Sequence, residues 1–561
     1  MMKKLIPVCI LPVPFLYLLA LASCTPIQRT GQSTGQSNGG TTPTPEATST
    51  AATAPISSTS VMTGDWPSYN NTLRSERYST LNQITTENVG NLTNNCTLSL
   101  GETANFQTGP LVINGVMYLT SNQSTYAVDA VNCILLWHHR YEDYTPDPEG
   151  LQVNRGAAYA DGRLFRGVDN GYLYAHDAST GEVLWRTKVG DQQAGETFPA
   201  APIAWNGLVF IGNAGGDNVG VRGRMMAFNA EDGQQVWSFD LVPLSGPGAD
   251  TWPASTAENP RTGGATWTSY TIDPEAGLLY VPVGNAAPDY DIAARPGLNL
   301  YTDSIVILDA KTGELQSYYQ ITKNDFHDWD VAAAPSIITT VGGKQLAAAP
   351  GKDGILHGID LGAKEVIYET PLTTISNTTT PFTAETTHFC PGNQGGVEWN
   401  GPAWDPQLNT LFVGAVDICA SVTITPLQPA GEPGSPYTNS ADQQAPFGTL
   451  DPHSTWRGWL TAVDADSGEV KWQYEADTPL VAGVTATAGG VVFTGDLNGR
   501  FMAFNAETGE QLFIDETGQP IAGGVVTYDV GGTQYVAVAV GMNSQIWQTE
   551  GKAQVIVYAL Q

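Results

Sequence analysis

The chain has 561 residues, and only 14% of them are charged, against the ~25% of a typical soluble domain. Its 55 acidic and 24 basic residues give a formal net charge of −31, which disfavours binding to nucleic-acid phosphates or anionic lipid headgroups. The 61 glycines and 36 prolines favour many short strands and tight turns over long helices.

The N-terminus predicts an exported protein. Lys3 and Lys4 precede an apolar run over residues 5–22, the pattern of a signal peptide. The segment Leu21-Ala22-Ser23-Cys24 resembles the lipobox of bacterial lipoproteins, which implies cleavage before Cys24 and acylation of its thiol. An ordinary signal peptide or a transmembrane anchor is the alternative interpretation. We expect residues 1–23 to be a lipoprotein signal peptide, which places the protein on the extracytoplasmic side of a membrane, in the periplasm or at the cell surface.

A tether follows the predicted lipid anchor. Residues 24–62 are mostly Ser, Thr, Gly, Pro and Ala and contain almost no large apolar side chains, so they cannot bury a core. We expect this stretch to be disordered, and the globular part to occupy residues 63–561.

The cysteines favour disulfides. Cys9 would leave with the signal peptide and Cys24 would carry lipid, which leaves an even number in an oxidising compartment. Four cysteines allow three pairings, and proximity in the chain favours Cys96 with Cys133 and Cys390 with Cys419. The sequence has no Cys-x-x-Cys-His, so no covalently attached haem is expected.

An internal repeat sets the fold. A strand ending in Asp or Asn, a turn containing Gly and a second strand ending in an aromatic residue recur at 125–137, 173–185, 225–237, 305–318, 356–368, 460–472 and 501–513. An aromatic at the same place in every unit can pack against the neighbouring unit. The common spacing of roughly 40 to 50 residues is that of one four-stranded propeller blade. We predict an all-β protein, a single β-propeller of seven or eight four-stranded blades with eight favoured; two stacked sandwiches would not explain the repeat.

One acidic cluster stands out in this charge-poor chain, at residues 324–330. In extended backbone Asp328 and Asp330 would point to the same side. Two converging carboxylates repel unless a cation lies between them or one keeps its proton. A metal ion, or a carboxylate that acts as a base, would explain the cluster, whereas a lone Asp-x-Asp more often caps a turn.

The repeat and several ordered segments resemble the pyrroloquinoline-quinone (PQQ)-dependent alcohol dehydrogenase family over essentially the whole globular region. These segments are residues 65–69, 77–79, 88–92, 220–223, 263–267, 284–285, 390–396, 487–490 and 534–538. The resemblance implies a quinone in the central funnel, with Ca²⁺ or a lanthanide(III) ion that polarises its carbonyl, and hydride transfer from an alcohol.

The resemblance also implies roles for single residues. It makes Asp328 the catalytic base and Asp330 the position associated with lanthanide-using members. The implied metal ligands are Asp217, Asn285, Asp328 and Asp330. The implied cofactor-binding residues are Trp267, Lys352, Arg155, Gln107, Glu398 and Trp547.

The chain departs from the family pattern at several of these places. Asp217 stands for a longer Glu, Gln107 for a Glu and Glu398 for an Asn, and the adjacent cysteines common in the family are missing near residues 149–151. The implied function is oxidation of a small alcohol, with electrons passing to an external acceptor such as a cytochrome or the quinone pool. Membrane contact would be by the lipid anchor only, and no nucleic acid is expected. The alternative is a non-catalytic propeller lipoprotein that serves as an assembly or interaction scaffold. A polymer-oxidising or sugar-oxidising relative with a more open funnel is more remote.

Overall fold

The computed structural model describes residues 64–144 and 151–561 of the chain. The predicted signal peptide, the tether and Cys24 lie outside these described residues. Within the described ranges the secondary structure is almost entirely strand, and the helical elements are four 3₁₀ turns: Val89–Asn91, Gln192–Ala194, Ala249–Thr251 and His453–Thr455. None of the described helices has the length and apolar character needed to cross a bilayer.

The strands form eight antiparallel sheets that follow one another along the chain. Sheet 1 contains Leu111–Ile113, Val116–Thr120, Ser124–Asp129 and Leu135–Arg140; sheet 2 contains Ala158–Ala160, Arg163–Val168, Tyr172–Asp177 and Val183–Lys188; sheet 3 contains Ile203–Trp205, Leu208–Gly212, Arg224–Asn229 and Gln235–Asp240; sheet 4 contains Thr271–Asp273, Leu278–Pro282, Ser304–Asp309 and Leu315–Gln320.

The second half of the chain repeats this order. Sheet 5 contains Ser336–Thr339, Gln345–Pro350, Ile355–Asp360 and Glu365–Pro371; sheet 6 contains Ala403–Asp405, Thr410–Asp417, Arg457–Asp464 and Val470–Ala476; sheet 7 contains Thr485–Thr487, Val491–Gly495, Arg500–Asn505 and Gln511–Glu516, with Tyr78–Ser79 added in parallel; sheet 8 contains Ile521–Val530, Thr533–Val540, Gln554–Leu560 and Leu92–Ser99. Minor pairings join Asn105–Phe106 to Val153–Asn154, Thr262–Gly263 to Ala286–Ala287, and Ala420–Val422 to both Thr387–Phe389 and Thr449–Leu450.

The sheets pack face to face in a closed ring. A buried apolar cluster joins each sheet to the next, from sheets 1 and 2 through to sheets 7 and 8. A further cluster joins sheet 8 to sheet 1, with Val526 and Val555 against Val112 and Met117. The prediction of an all-β propeller is therefore confirmed.

The two ends of the described chain meet in sheet 8. Leu92–Ser99 pairs antiparallel with Gln554–Leu560. The N-terminal strand thus completes the last sheet as its outer strand. The disulfide between Cys96 and Cys133 links this outer strand to a turn of sheet 1, and a second disulfide joins Cys390 to Cys419, so both pairings favoured by chain proximity are present.

The repeated turn works as the sequence pattern indicates. In sheet 2, Asp177 Oδ1 accepts hydrogen bonds from the backbone N–H groups of Ser179 and Thr180 at 2.9 and 3.0 Å. Gly181 has a φ of 75°, and a Cβ there would lie 2.6 Å from the ring of Trp137 in sheet 1. The indole N–H of Trp137 also donates to the carbonyl of Ala178, at 2.9 Å. The glycine thus serves both the turn and the contact with the preceding sheet.

Candidate active site

The predicted site residues all lie at one edge of the ring. In a four-stranded antiparallel sheet, the loop between the second and third strands and the loop that leads to the next sheet emerge at the same edge. The loops between second and third strands carry Asp217, Asn285, Lys352 and Trp547. The loops that precede a first strand carry Gln107, Arg155, Trp267, Asp328, Asp330 and Glu398.

Lys352 brings the two aspartates of the acidic cluster together. Its Nζ lies 2.7 Å from Asp330 Oδ2 and 3.7 Å from Asp328 Oδ1, and all three side chains are buried. Burial opposes the lysine charge, but the two carboxylates outweigh it and raise the pKa of Lys352 well above its usual range. The lysine is therefore a fixed cation inside the acidic cluster.

The backbone of the cluster is a tight turn. Asp325 accepts hydrogen bonds from the N–H groups of His327, Asp328 and Trp329 at 3.1 Å each. Asp328 consequently has a φ of 65°, in the left-handed region. The expectation of extended backbone at Asp328 is wrong, because Asp325 caps the segment; the two aspartates nevertheless reach the same ammonium group.

Asn285 and its neighbour Gly284 position Asp330. The backbone N–H of Asn285 donates to Asp330 Oδ1 at 3.1 Å. A Cβ on Gly284 would overlap that same carboxylate oxygen. Only glycine therefore leaves room for Asp330 beside this loop.

The side chain of Asn285 connects two further carboxylates. Its Nδ2 donates to Asp289 Oδ1 at 3.1 Å, and the same amide lies close enough to Asp217 to oppose the rise in the pKa of that carboxyl. Burial and the charge of Asp330 raise the pKa of Asp217 to about 6, although part of this residue stays accessible to solvent. Burial also raises the pKa values of Asp289 and Asp328 well above the usual range, and repulsion among the carboxylates adds to the effect. These groups need a cation to be ionised together.

Trp267 lies beside this cluster with a cation near its ring at two points. Arg155 Cζ is 4.6 Å from the indole centroid, and Lys352 Nζ is 5.4 Å from it. Arg155 also donates to the Trp267 carbonyl at 2.9 Å and lies 5.1 Å from the ring of Trp399. Burial lowers the pKa of Arg155 to about 10, so the guanidinium is still charged at neutral pH.

Several buried polar atoms of the site have no partner among the described residues. They are Arg155 Nε, Gln107 Oε1, Glu398 Oε1 and Asp289 Oδ2. Gln107 uses its Nε2 to donate to Asn105 Oδ1 at 2.9 Å, and the strand before it pairs in parallel with the strand before Arg155. Burial raises the pKa of Glu398 to about 7, while Lys352 opposes the shift. Unpaired buried polar atoms are costly, so this group favours a polar ligand.

Trp547 lies in an apolar cluster with three other tryptophans of the site edge, Trp267, Trp399 and Trp456. It is buried and meets the rings of Trp399 and Trp456 edge-on, with centroids 6.0 and 6.5 Å apart. Trp267 packs against the same apolar cluster. Trp547 therefore supports the indoles near Arg155.

Sequence reasoning missed two members of the site. Asp289 lies four residues after Asn285 in an acidic stretch that no repeat or motif distinguishes, and Trp399 directly follows Glu398. The doubled acid at Asp289 and Asp291, in a chain with few charges, is the signal that could have found the first. No comparable signal marks Trp399.

The donor set fits a hard cation and an anionic planar ligand. Carboxylate and amide oxygens suit Ca²⁺ or a trivalent lanthanide, and an indole with two cations suits a quinone that carries carboxylates. Within the described ranges, one group of three metal-type donors lies within 4.8 Å, His388, Cys390 and Cys419, and its sulfurs are committed to a disulfide. Asp328 and Asp330 instead lie within 3.7 Å of Lys352 Nζ.

Comparison with known proteins gives the family. The family model for PQQ described as "Glucose/ethanol/alcohol dehydrogenase, beta-propeller domain" matches residues 66–360, more than half of the chain. A model for the outer membrane protein assembly factor BamB matches residues 457–556. The chain belongs to the PQQ-dependent alcohol dehydrogenase family.

Individual relatives agree with this assignment. The chain is 32% identical to the quinohemoprotein alcohol dehydrogenase ADH-IIG of Pseudomonas putida over 85% of its own length and 72% of that protein. It is 31% identical to the putative dehydrogenase XoxF of Paracoccus denitrificans, over 83% and 85% of the two chains. A europium-containing methanol dehydrogenase superposes with a TM-score of 0.80 at 25% identity, covering 89% of this chain and 98% of that one.

Proposed function

We propose that this protein oxidises a small alcohol or a similar hydroxylated compound, with PQQ as hydride acceptor and with Ca²⁺ or a lanthanide(III) ion beside it. Electrons would leave to an external acceptor, a cytochrome or the quinone pool. One observation carries the proposal: Asp328 and Asp330 meet the ammonium of Lys352, and that same ammonium lies 5.4 Å from the centroid of the Trp267 ring. A proton acceptor, a cation site and an aromatic platform thus share one buried place.

Asp328 is the candidate base. Burial and the neighbouring carboxylates raise its pKa, so the carboxylate has a high affinity for the alcohol proton, and Lys352 limits the shift. The turn capped by Asp325 fixes where this carboxylate points. When bound, the quinone supplies the hydride acceptor and the cation polarises its carbonyl.

Other residues would hold the cofactor. Trp267 offers an indole face, and Arg155 offers an unpaired N–H for a cofactor carboxylate, since a planar guanidinium suits such pairing. Asp217, Asn285, Asp328 and Asp330 supply oxygens for the cation. Gln107 and Glu398 add two buried oxygens that lack partners in the described part of the chain.

Two substitutions separate binding from turnover. Asp328→Asn should retain quinone after desalting, measured by the visible spectrum, but lose about 10²-fold or more of alcohol-driven dye reduction, as expected for a missing base. Trp267→Ala should lose the quinone itself, whereas the control Trp205→Ala, in sheet 3, should keep it. Full turnover in Asp328→Asn would overturn the base assignment, and quinone retention in Trp267→Ala would overturn the platform.

We further propose that the protein is anchored outside the cytoplasm through lipid on Cys24. The lipobox-like segment that ends at Cys24 and the polar stretch after it support this placement. Cells fed labelled palmitate should label the wild-type protein and not Cys24→Ser. Equal labelling of the two would contradict the anchor.

A non-catalytic scaffold is the less favoured function. The BamB-type match covers only residues 457–556, which include none of the acidic cluster. A scaffold would gain nothing from burying several like charges, because buried charges cost stability unless they serve a ligand.

A further inference from the structure

Asp289 is a buried carboxylate that the proposed cation set does not use. Its side chain has no solvent exposure. Oδ1 accepts the hydrogen bond from Asn285 Nδ2 at 3.1 Å, while Oδ2 has no hydrogen-bond partner in the described part of the molecule. One oxygen of a fully buried acid is thus left open next to a proposed metal ligand.

The nearest cation does not neutralise Asp289 directly. Arg295 donates from Nε to the Pro288 carbonyl and from Nη2 to the Asp289 carbonyl, both at 2.9 Å. The same Nη2 donates to the Asp325 carbonyl at 2.5 Å. These bonds fix the loop, but they go to carbonyl oxygens, and the Asp289 carboxylate has no ion-pair partner among the described residues.

Sheet 6 carries a long insertion, residues 418–456, between its second and third strands, and one residue of this insertion holds the backbones of Asp217 and Asp289 together. The N–H of Tyr437 donates to the Asp217 carbonyl at 2.7 Å, and the Tyr437 carbonyl accepts from the Asp289 N–H at 3.2 Å. Tyr437 is buried, and its hydroxyl donates to Asn259. The insertion therefore fixes the backbones of two loops from different sheets, and both carboxylates approach the same amide of Asn285.

We propose that Asp289 is an additional carboxylate of the cation site, beside Asp217, Asp328 and Asp330, and that it biases the site towards a trivalent over a divalent cation. Attraction to an added negative charge grows with the charge of the ion, and ligand charge count tunes the affinity of oxygen sites. This inference rests on the proposed function for the location of the cation. Asp289, on the loop at residues 288–291, would be the fourth carboxylate of the site.

The test compares Tb³⁺ and Ca²⁺ binding to the full-length protein and to Asp289→Asn. Tb³⁺ affinity is read from luminescence sensitised by tryptophan, and Ca²⁺ affinity from competition. We expect Asp289→Asn to weaken Tb³⁺ binding at least about tenfold and Ca²⁺ binding by less, so that the ratio of the two affinities falls. Asp442→Asn, on an exposed turn of the insertion, should leave the ratio unchanged.

Two outcomes would overturn the proposal: no change in either affinity in Asp289→Asn, or an equal fold-loss for both ions. Asp289→Ser is the second variant, smaller and neutral, should the Asn variant fail to fold; the same fall in ratio is expected. Quinone retention and dye reduction are measured in parallel on the wild type. If they fail while the Tb³⁺ preference depends on Asp289, the proposed function is wrong and the cation assignment stands.

Discussion

At the scale of single residues, Glu398 is a buried acid whose ionisation is disfavoured in the folded protein. It lies among Lys352, Asp330 and Arg155, and one of its oxygens lacks a partner within the described chain. Burial raises its pKa to about 7, so the folded protein keeps the proton over a range in which the unfolded chain has lost it. Between about pH 4.5 and pH 7 the folded state binds more protons, and rising pH therefore lowers the free energy of unfolding.

Glu398→Gln should remove this pH-dependent loss. As pH rises through that range, the free energy of unfolding of the variant should increase relative to that of the wild type. The difference should reach on the order of 3 kcal/mol above the range. Urea unfolding at about pH 5 and about pH 8, without added quinone or metal, measures the difference. Glu507→Gln, on an exposed turn of sheet 7, is the control, and its free energy of unfolding should change with pH as that of the wild type does. A Glu398→Gln advantage that stays constant with pH would contradict the argument.

Lys352 balances the acidic cluster at the same scale. Its contacts with Asp328 and Asp330 join the proposed base to the residue beside Asn285. A buried lysine is stable only while a carboxylate partner remains, because a single buried charge is costly. The residue therefore ties the proposed proton chemistry to the cation site.

At the scale of the element, the turn glycines join neighbouring sheets. Gly509, in sheet 7, has a φ of 75°, and a Cβ there would lie 2.7 Å from the ring of Trp472 in sheet 6. Gly518, just after the outer strand of the same sheet, has a φ of 70° with nothing within 4 Å of the added Cβ. The two glycines share the backbone requirement and differ in the packing.

Alanine at these two glycines separates the two effects. Gly518→Ala should cost about 1 kcal/mol, the price of an alanine at positive φ. Gly509→Ala should cost about 2 to 4 kcal/mol, because displacement of the Trp472 indole adds an overpacking penalty. Thermal or urea unfolding of both variants gives the comparison. Equal losses would mean that the contact with the tryptophan contributes nothing.

These elements also show what the sequence could predict. The Asp–Gly–aromatic spacing contains both the turn and the inter-sheet contact, because each depends on residues close in the chain. The departure at Asp328 was not predictable from alternation, since Asp325 overrides extended backbone through three hydrogen bonds. Asp289 was missed because its importance comes from Asn285 and Tyr437, a local and a distant partner with no periodic signal.

At the scale of the whole molecule, the site depends on the ring. Its residues come from loops as far apart as Gln107 and Glu398, and only the regular order of sheets carries those loops to one edge. A family resemblance can indicate such positions. Periodicity alone predicts at which edge of the ring a loop lies, but it does not predict which side chains contact one another there. The contacts of Lys352 with Asp328 and Asp330 form only when the ring is folded.

The ring is closed in sheet 8, where strands from opposite ends of the chain pair; we call this pair of strands the seam. Leu92–Ser99 pairs with Gln554–Leu560, and the disulfide between Cys96 and Cys133 ties the same strand to sheet 1. The double variant Cys96→Ser with Cys133→Ser should lose about 2 to 4 kcal/mol of stability, as expected for a crosslink that restrains the unfolded chain. Because the crosslink also holds an outer strand, the loss should be concentrated at the seam.

Hydrogen exchange followed by mass spectrometry locates the loss. Amide exchange should rise in Leu92–Ser99 and Gln554–Leu560 before it rises in sheets 3 to 5, because the outer strand can open without disrupting the remaining sheets. Removal of the Cys390–Cys419 disulfide is the matched control, since it links the loop before sheet 6 to the insertion within that sheet and should leave the seam protected. Uniform exchange throughout the ring in the seam variant would instead show that the eight sheets open as one cooperative unit.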